Sequence, residues 1–127
     1  MLRYWPAACW TILIAVMYGL PASLFLVPES LDVGHTDKLV HITAFTCFTI
    51  VVLCNLHEVR RRAKFHKRTV AFTSFAIVCY GAAFELIQGT VFDGRQSDGW
   101  DFVANCIGVV IGLVIFGTLW NRKRILH

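Results

Sequence analysis

Charged residues are bunched along this chain, and four long apolar stretches lie between the bunches. Twenty-five residues without formal charge separate Arg3 from Glu29, 19 separate Lys38 from Glu58 with His41 and His57 counted as neutral, and 20 separate Asp101 from Arg122. From Thr69 to Phe92 only Glu85 interrupts 24 positions. Each stretch matches the roughly 20 residues with which an α-helix crosses about 30 Å of hydrocarbon. The pattern predicts an all-α fold: a polytopic membrane protein with a compact four-transmembrane-helix bundle over residues 7–27, 38–56, 69–88 and 101–120. The expected organisation is a single membrane domain, 1–127, because the connections are too short to hold a separate soluble one.

Two local features refine the first helix. Arg3 precedes it and small residues stand at Ala22 and Ser23, as in a signal peptide, but the apolar stretch runs on through Val27. That exceeds the 7–15 residues of a signal core, so a retained span is expected. Pro21 predicts a bend near its outer end, where neighbouring helices or water satisfy the freed carbonyl.

Composition agrees with the pattern. Hydrophobic residues make up 57% of the chain, charged residues 16%, and the mean hydropathy is +0.62. Soluble domains run at about 45–50% and about 25%, so both values are displaced toward a lipid solvent. Ten Phe and four Trp exclude a disordered chain. Cys9, Cys47, Cys54, Cys79 and Cys106 all fall within apolar spans with no C-x-x-C pair, which reads as small buried hydrophobes and not as a metal or redox motif.

The net charge of +4 averages over two unlike faces. Ten of the twelve basic residues are Arg3, then Arg60, Arg61, Arg62, Lys64, Lys67 and Arg68, then Arg122, Lys123 and Arg124. A four-helix topology puts those places on one side, and the positive-inside rule makes that side, with both termini, cytoplasmic. Seven of the eight acidic residues, Glu29, Asp32, Asp37, Glu85, Asp93, Asp98 and Asp101, lie in or beside the two outer loops. Anionic lipid headgroups account for the basic patches better than nucleic acid does, so membrane lipids are the expected partner.

The informative residues are polar groups at the outer ends of three helices. Asp37 and His41, four apart, share a face of the second helix, with Lys38 beside them and Phe45 one turn deeper. Glu85 and Gln88, three apart, share a face of the third. Asp101, Asn105, Gly108 and Gly112 form one stripe on the fourth, and Arg95 lies in the loop before it. All reach a similar depth and are expected to converge. Each also has a plainer explanation. Asp37 and Asp101 suit N-caps, Asn105 suits interhelical hydrogen bonding, and Gly108 with Gly112 has the small-xxx-small spacing of close helix packing. Glu85 is the hardest to explain away, because a carboxylate inside an apolar span is costly unless paired. Lys38 and Arg95 are the two basic residues on its side, and either is a candidate partner.

These residues resemble the VanZ-like family of integral membrane proteins. The resemblance runs over about 76 positions from 37 to 112: D-K-x-x-H-x-x-x-F at Asp37, Lys38, His41 and Phe45, E-x-x-Q at Glu85 and Gln88, then Arg95. It ends on D-x-x-x-N-x-x-G-x-x-x-G at Asp101, Asn105, Gly108 and Gly112. Family members often carry Pro-Gly before the arginine, where this chain has Asp93 and Gly94. The resemblance implies a small protein of the bacterial cytoplasmic membrane. The family takes its name from a protein that lowers sensitivity to teicoplanin, a glycopeptide acting on cell-wall precursors outside that membrane.

Two classes of function follow. In the first, the polar cluster binds or modifies a lipid-linked or cell-wall precursor. His41 and Glu85 then act as an acid/base pair, and Asp37, Lys38, Gln88, Arg95, Asp101 and Asn105 hold the substrate. A divalent metal on Asp37, His41, Glu85 and Asp101 is disfavoured for want of a compact motif, and no cofactor is expected. Ser23 and Ser97 have no G-x-S-x-G context for serine hydrolysis. In the second class the chain is a non-catalytic subunit of a homo-oligomer or membrane complex, and the same groups lock helices together. Conduction fits poorly, since the inner halves of the spans carry no acidic or basic residue.

Overall fold

The computed structural model describes residues 4–19, 33–59, 66–91 and 99–125. Four α-helices account for nearly all of them: α1 (Trp5–Gly19), α2 (Val33–Val59), α3 (Lys67–Val91) and α4 (Gly99–Ile125). Helices are what an apolar chain in lipid must form, since they satisfy backbone hydrogen bonds within the segment. Pro6 sits in the first turn of α1, where its missing N–H costs nothing. Hydroxyls inside the apolar stretches are satisfied the same way. Thr11, Thr43, Thr49 and Ser74 each donate to the carbonyl four residues back, at 2.8 Å.

Asp37–Val59, Lys67–Thr90 and Gly99–Trp120 are each long and apolar enough to cross a membrane. The 15 residues of α1 span about 22 Å at 1.5 Å per residue. The remainder of the expected first span, with Pro21, lies outside the described residues. α2 begins at Val33, five residues before the expected edge, and α4 runs past its expected end at 120. The charge-free run measures the hydrocarbon thickness, whereas a helix continues for as long as its backbone stays paired. One consequence is that neither aspartate is an N-cap: Asp37 stands inside α2, and Asp101 is the third residue of α4, where its charge suits the N-terminal dipole.

The helices alternate in direction. The end of α1 and the end of α3 meet the starts of α2 and α4, because Tyr18, Gln88, His41 and Asn105 are joined by hydrogen bonds. α2 and α4 therefore run parallel to each other, and His57 and Trp120 meet at their far ends with ring centroids 4.3 Å apart. This pair has the most extensive contact in the molecule. It is close because of two glycines. A Cβ at Gly108 would stand 2.6 Å from the Ile42 carbonyl oxygen, and one at Gly112 2.7 Å from Thr49 Cβ. Thr46 Oγ1 donates across the seam to the Gly108 carbonyl at 3.1 Å.

α1 is tied on by indole and phenol groups. Trp10 Nε1 donates to the Ala44 carbonyl of α2 at 3.3 Å, and Tyr80 of α3 donates to the Thr11 carbonyl at 2.8 Å. Between the helices Tyr18, Phe45, Phe48, Tyr80 and Phe84 pack ring against ring, with centroids 4.8–6.4 Å apart. The outside is apolar: Phe72, Phe75, Leu86, Val110 and Val114 are all exposed, as lipid-facing side chains must be. His41, Thr49, Ser74, Glu85, Gln88 and Asn105 are buried instead, so the polarity of the bundle faces inward.

Candidate functional site

Most of the buried polar groups gather at one end of the bundle, and the last full turn of α1 delivers the central one. Tyr18 turns its ring inward, edge-on to His41 with centroids 5.2 Å apart. Its hydroxyl is 2.9 Å from His41 Nδ1 and accepts from Asn105 Nδ2 at 2.7 Å, while Asn105 Oδ1 is 3.0 Å from the same Nδ1. Three helices thus meet in a triangle of side chains. The roles within it follow from donor and acceptor capacity. With Nδ2 donating to Tyr18, Oδ1 is the acceptor end of the amide, and a proton on His41 Nδ1 makes the 3.0 Å contact a hydrogen bond. The network geometry assigns this tautomer, and it leaves the lone pair on Nε2.

Gln88 secures the floor. Its Nε2 donates to the Tyr18 carbonyl, in the last turn of α1, at 3.0 Å. Phe45, fully buried, fills the space beneath His41, and Gly81 admits its ring: a Cβ there would stand 2.9 Å from Phe45 Cε1.

The outer side of His41 is lined with charge. Nε2 faces Asp37 Oδ1 at 3.9 Å, one helical turn away on α2. Lys38 Nζ lies 3.8 Å from Asp101 Oδ1 of α4. Asp37, His41 and Asp101 each present one possible ligand atom, and the three atoms lie within 4.8 Å of one another. Exposure falls inward, from 45% and 35% for the Asp37 and Lys38 side chains to 13% for Asp101 and 9% for His41. The cluster is open to the outside of the bundle at Asp37 and closed at His41.

Glu85 lies behind it, 6% exposed. Neither carboxylate oxygen has a hydrogen-bond partner among the described residues. It faces the cluster and not the lipid: the charged groups around it are those of His41, Asp101 and Asp37, and the Tyr18 hydroxyl is the polar donor on its side.

The structure therefore brings together Asp37, Lys38, His41, Glu85, Gln88, Asp101 and Asn105, with Gly108 and Gly112 in the seam below. Of the two cations expected near Glu85, Arg95 lies outside the described residues, and Lys38 is ion-paired with Asp101, since the α2–α4 seam sets those two side by side. Among the described residues no hydrogen bond joins His41 to Glu85: the imidazole spends Nδ1 on Tyr18 and Asn105 and turns Nε2 toward Asp37. Tyr18 is the residue that sequence reasoning missed. A lone tyrosine near the end of an apolar span reads as an interfacial aromatic, and its only distinguishing signal is that it stands at the depth of the other polar groups.

Chemically, the arrangement offers an imidazole nitrogen held by a fixed network, a buried carboxyl group, a half-exposed ammonium and two further carboxylates, all opening to one side. Such a set can move a proton at His41 Nε2, hold an anionic group at Lys38, or hold a cation between the carboxylates.

A family model described as VanZ/LLP1 matches residues 5–121, nearly the whole chain. No curated protein and no solved structure matches it.

Proposed function

The chain belongs to the VanZ/LLP1 family, and on that premise we propose that its end-of-bundle cluster is an outward-facing site that binds or modifies a lipid-linked or cell-wall precursor. The chain works as a single VanZ-like domain, 1–127, of the bacterial cytoplasmic membrane, with both termini in the cytoplasm. His41 Nε2 and Glu85 supply the proton-transfer groups, Lys38 and Arg95 meet a phosphate or carboxylate, and Asn105, Gln88 and Tyr18 hold the imidazole and its support in place. By occupying or altering the precursor, the protein lowers the cell's sensitivity to glycopeptides that act on the same material.

The observation that carries this reading is Glu85. A carboxyl group that interrupts a membrane span, turns inward and has no partner within hydrogen-bond geometry among the described residues costs on the order of several kcal/mol. Packing alone would be served better by leucine. The test compares cells making the wild-type protein, E85Q and H41Q for growth under teicoplanin or a lipoglycopeptide. The variants should accumulate and extract in detergent as the wild type does, yet lose its protective effect. Full protection by both variants would overturn the reading.

The triangle of Tyr18, His41 and Asn105 favours a second reading, an accessory subunit whose polar groups fasten α1, α2 and α4. In that case H41Q should fail to fold, or should lose a partner in pull-down, while E85Q behaves as wild type.

A further inference from the structure

We infer that Asp37, His41 and Asp101, backed by Glu85, form a binding site for one divalent cation at the open end of the bundle. This rests on the preceding reading for the location of the site and changes the part of one atom in it: while an ion is bound, His41 Nε2 is a ligand and moves no proton, and Glu85 is the proton-transfer group that remains.

The first step concerns His41. Its Nδ1 is committed to Asn105 and Tyr18, which leaves an unprotonated Nε2 directed at the Asp37 carboxylate 3.9 Å away. That separation is too long for a hydrogen bond. With the proton on Nδ1, Nε2 and the carboxylate are both electron-rich, and a cation between them turns that repulsion into two attractions. It also resembles the arrangement in which a metal-bound histidine is kept in one tautomer, with its other nitrogen donating to a fixed acceptor. Here the fixed acceptor is the Asn105 amide.

The second step concerns spacing. Oxygen and nitrogen ligands stand about 2.0–2.2 Å from a small divalent ion, so two of them on opposite sides are about 4.2 Å apart and adjacent ones nearer 3 Å. The three candidate atoms, within 4.8 Å of one another, are a little wider than that. Asp37 is the half-exposed member, and a small rotation of its side chain draws the set inward.

The third step is independent of the cluster itself. Glu85 is more than nine-tenths buried, has neither oxygen within hydrogen-bond geometry of a described residue, and faces the Tyr18 hydroxyl together with His41, Asp101 and Asp37. An ion in the cluster gives that carboxylate a counter-charge, either as a fourth ligand or through a bound water. Among the described residues the cluster sets three carboxyl groups against one ammonium, a balance that favours a cation. One imidazole among carboxylates suits Mn2+ or Zn2+ better than Ca2+, which prefers oxygen alone, and the described set contains no thiolate to select a softer ion.

The test uses the full chain purified in detergent and stripped with a chelator, with Mn2+ as the probe. Electron paramagnetic resonance should show the free-ion signal lost with a stoichiometry of one Mn2+ per chain, and Zn2+ should compete it back. D37N and E85Q, which keep the shape of the side chain and leave the Tyr18–His41–Asn105 triangle untouched, should each weaken binding at least tenfold while eluting as the wild type does. An unchanged free-ion signal with the wild-type protein, together with no Zn2+ bound in equilibrium dialysis, overturns the proposal. So does Mn2+ binding that D37N and E85Q leave intact, since the ion then sits elsewhere. Failure of the functional reading looks different: Mn2+ binds with the predicted dependence on Asp37 and Glu85, yet E85Q cells are as protected as the wild type.

Discussion

His41 and Asn105 meet at 3.0 Å from parallel helices, one residue apiece from the two elements with the largest shared surface. The contact fixes which imidazole nitrogen carries the proton and therefore which one faces the open end. This pair gives the polar cluster its direction, and most of the expected behaviour of variants follows from it.

Removing the amide should cost stability and also misdirect the ring. Asn105→Ala leaves His41 Nδ1 and the Tyr18 hydroxyl each short of a buried partner. Interhelical hydrogen bonds in membrane proteins contribute about 0.6 kcal/mol on average and at most about 1.7, so a loss of about 1–2 kcal/mol in a denaturant titration is expected. Stability equal to the wild type would show that the triangle does not hold the helices.

Tyr18→Phe deletes one oxygen and keeps the ring packing against His41, Phe45 and Phe84. The expected result is a smaller loss of stability than in Asn105→Ala, accompanied by a change in the nitrogen chemical shifts of His41 measured by NMR on labelled protein. Unchanged shifts would mean the hydroxyl plays no part in setting the tautomer.

The glycines of α4 should divide sharply. Alanine at Gly108 or Gly112 drives a methyl group to 2.6–2.7 Å from α2 and should destabilise by about 1–3 kcal/mol, the usual range for an overpacked core. At Gly117 a Cβ meets nothing within 4 Å, so Gly117→Ala should be neutral in the same assay. Equal effects at all three positions would contradict the seam.

The orientation in the membrane is checked with D93C in a background lacking the native cysteines. An impermeant thiol reagent should label it in intact cells. Labelling that appears only after lysis would reverse the assignment of sides.

Much of the architecture was legible from charge spacing alone, because a bilayer imposes a length on any helix that crosses it. The four helices and the common depth of Asp37, His41, Glu85, Gln88, Asp101 and Asn105 come from that constraint together with a period of 3.6. Periodicity is silent on which helix stands beside which. That is why the sequence offers Lys38 to Glu85 and does not show its pairing with Asp101, and why Tyr18, with no other polar residue beside it at that depth of the first span, carries no signal. The spatial meeting of Asp37 with Asp101 is likewise absent from the sequence, where 64 positions separate them. A cluster assembled across two helices leaves no compact motif to read.

A contact that admits no methyl group also acts as a ruler. Gly108 lies seven residues, about 10 Å, below Asp101 on a straight helix, and the residues it touches on α2 begin five positions below Asp37. The relative height of the two carboxylates is therefore calibrated in the bundle's interior and not by the segments that link the helices. Lengthening the stretch 92–98 or rewriting it should leave their alignment as it is, whereas sliding the notch at Gly108 or Gly112 by a single turn would put the two acids out of step.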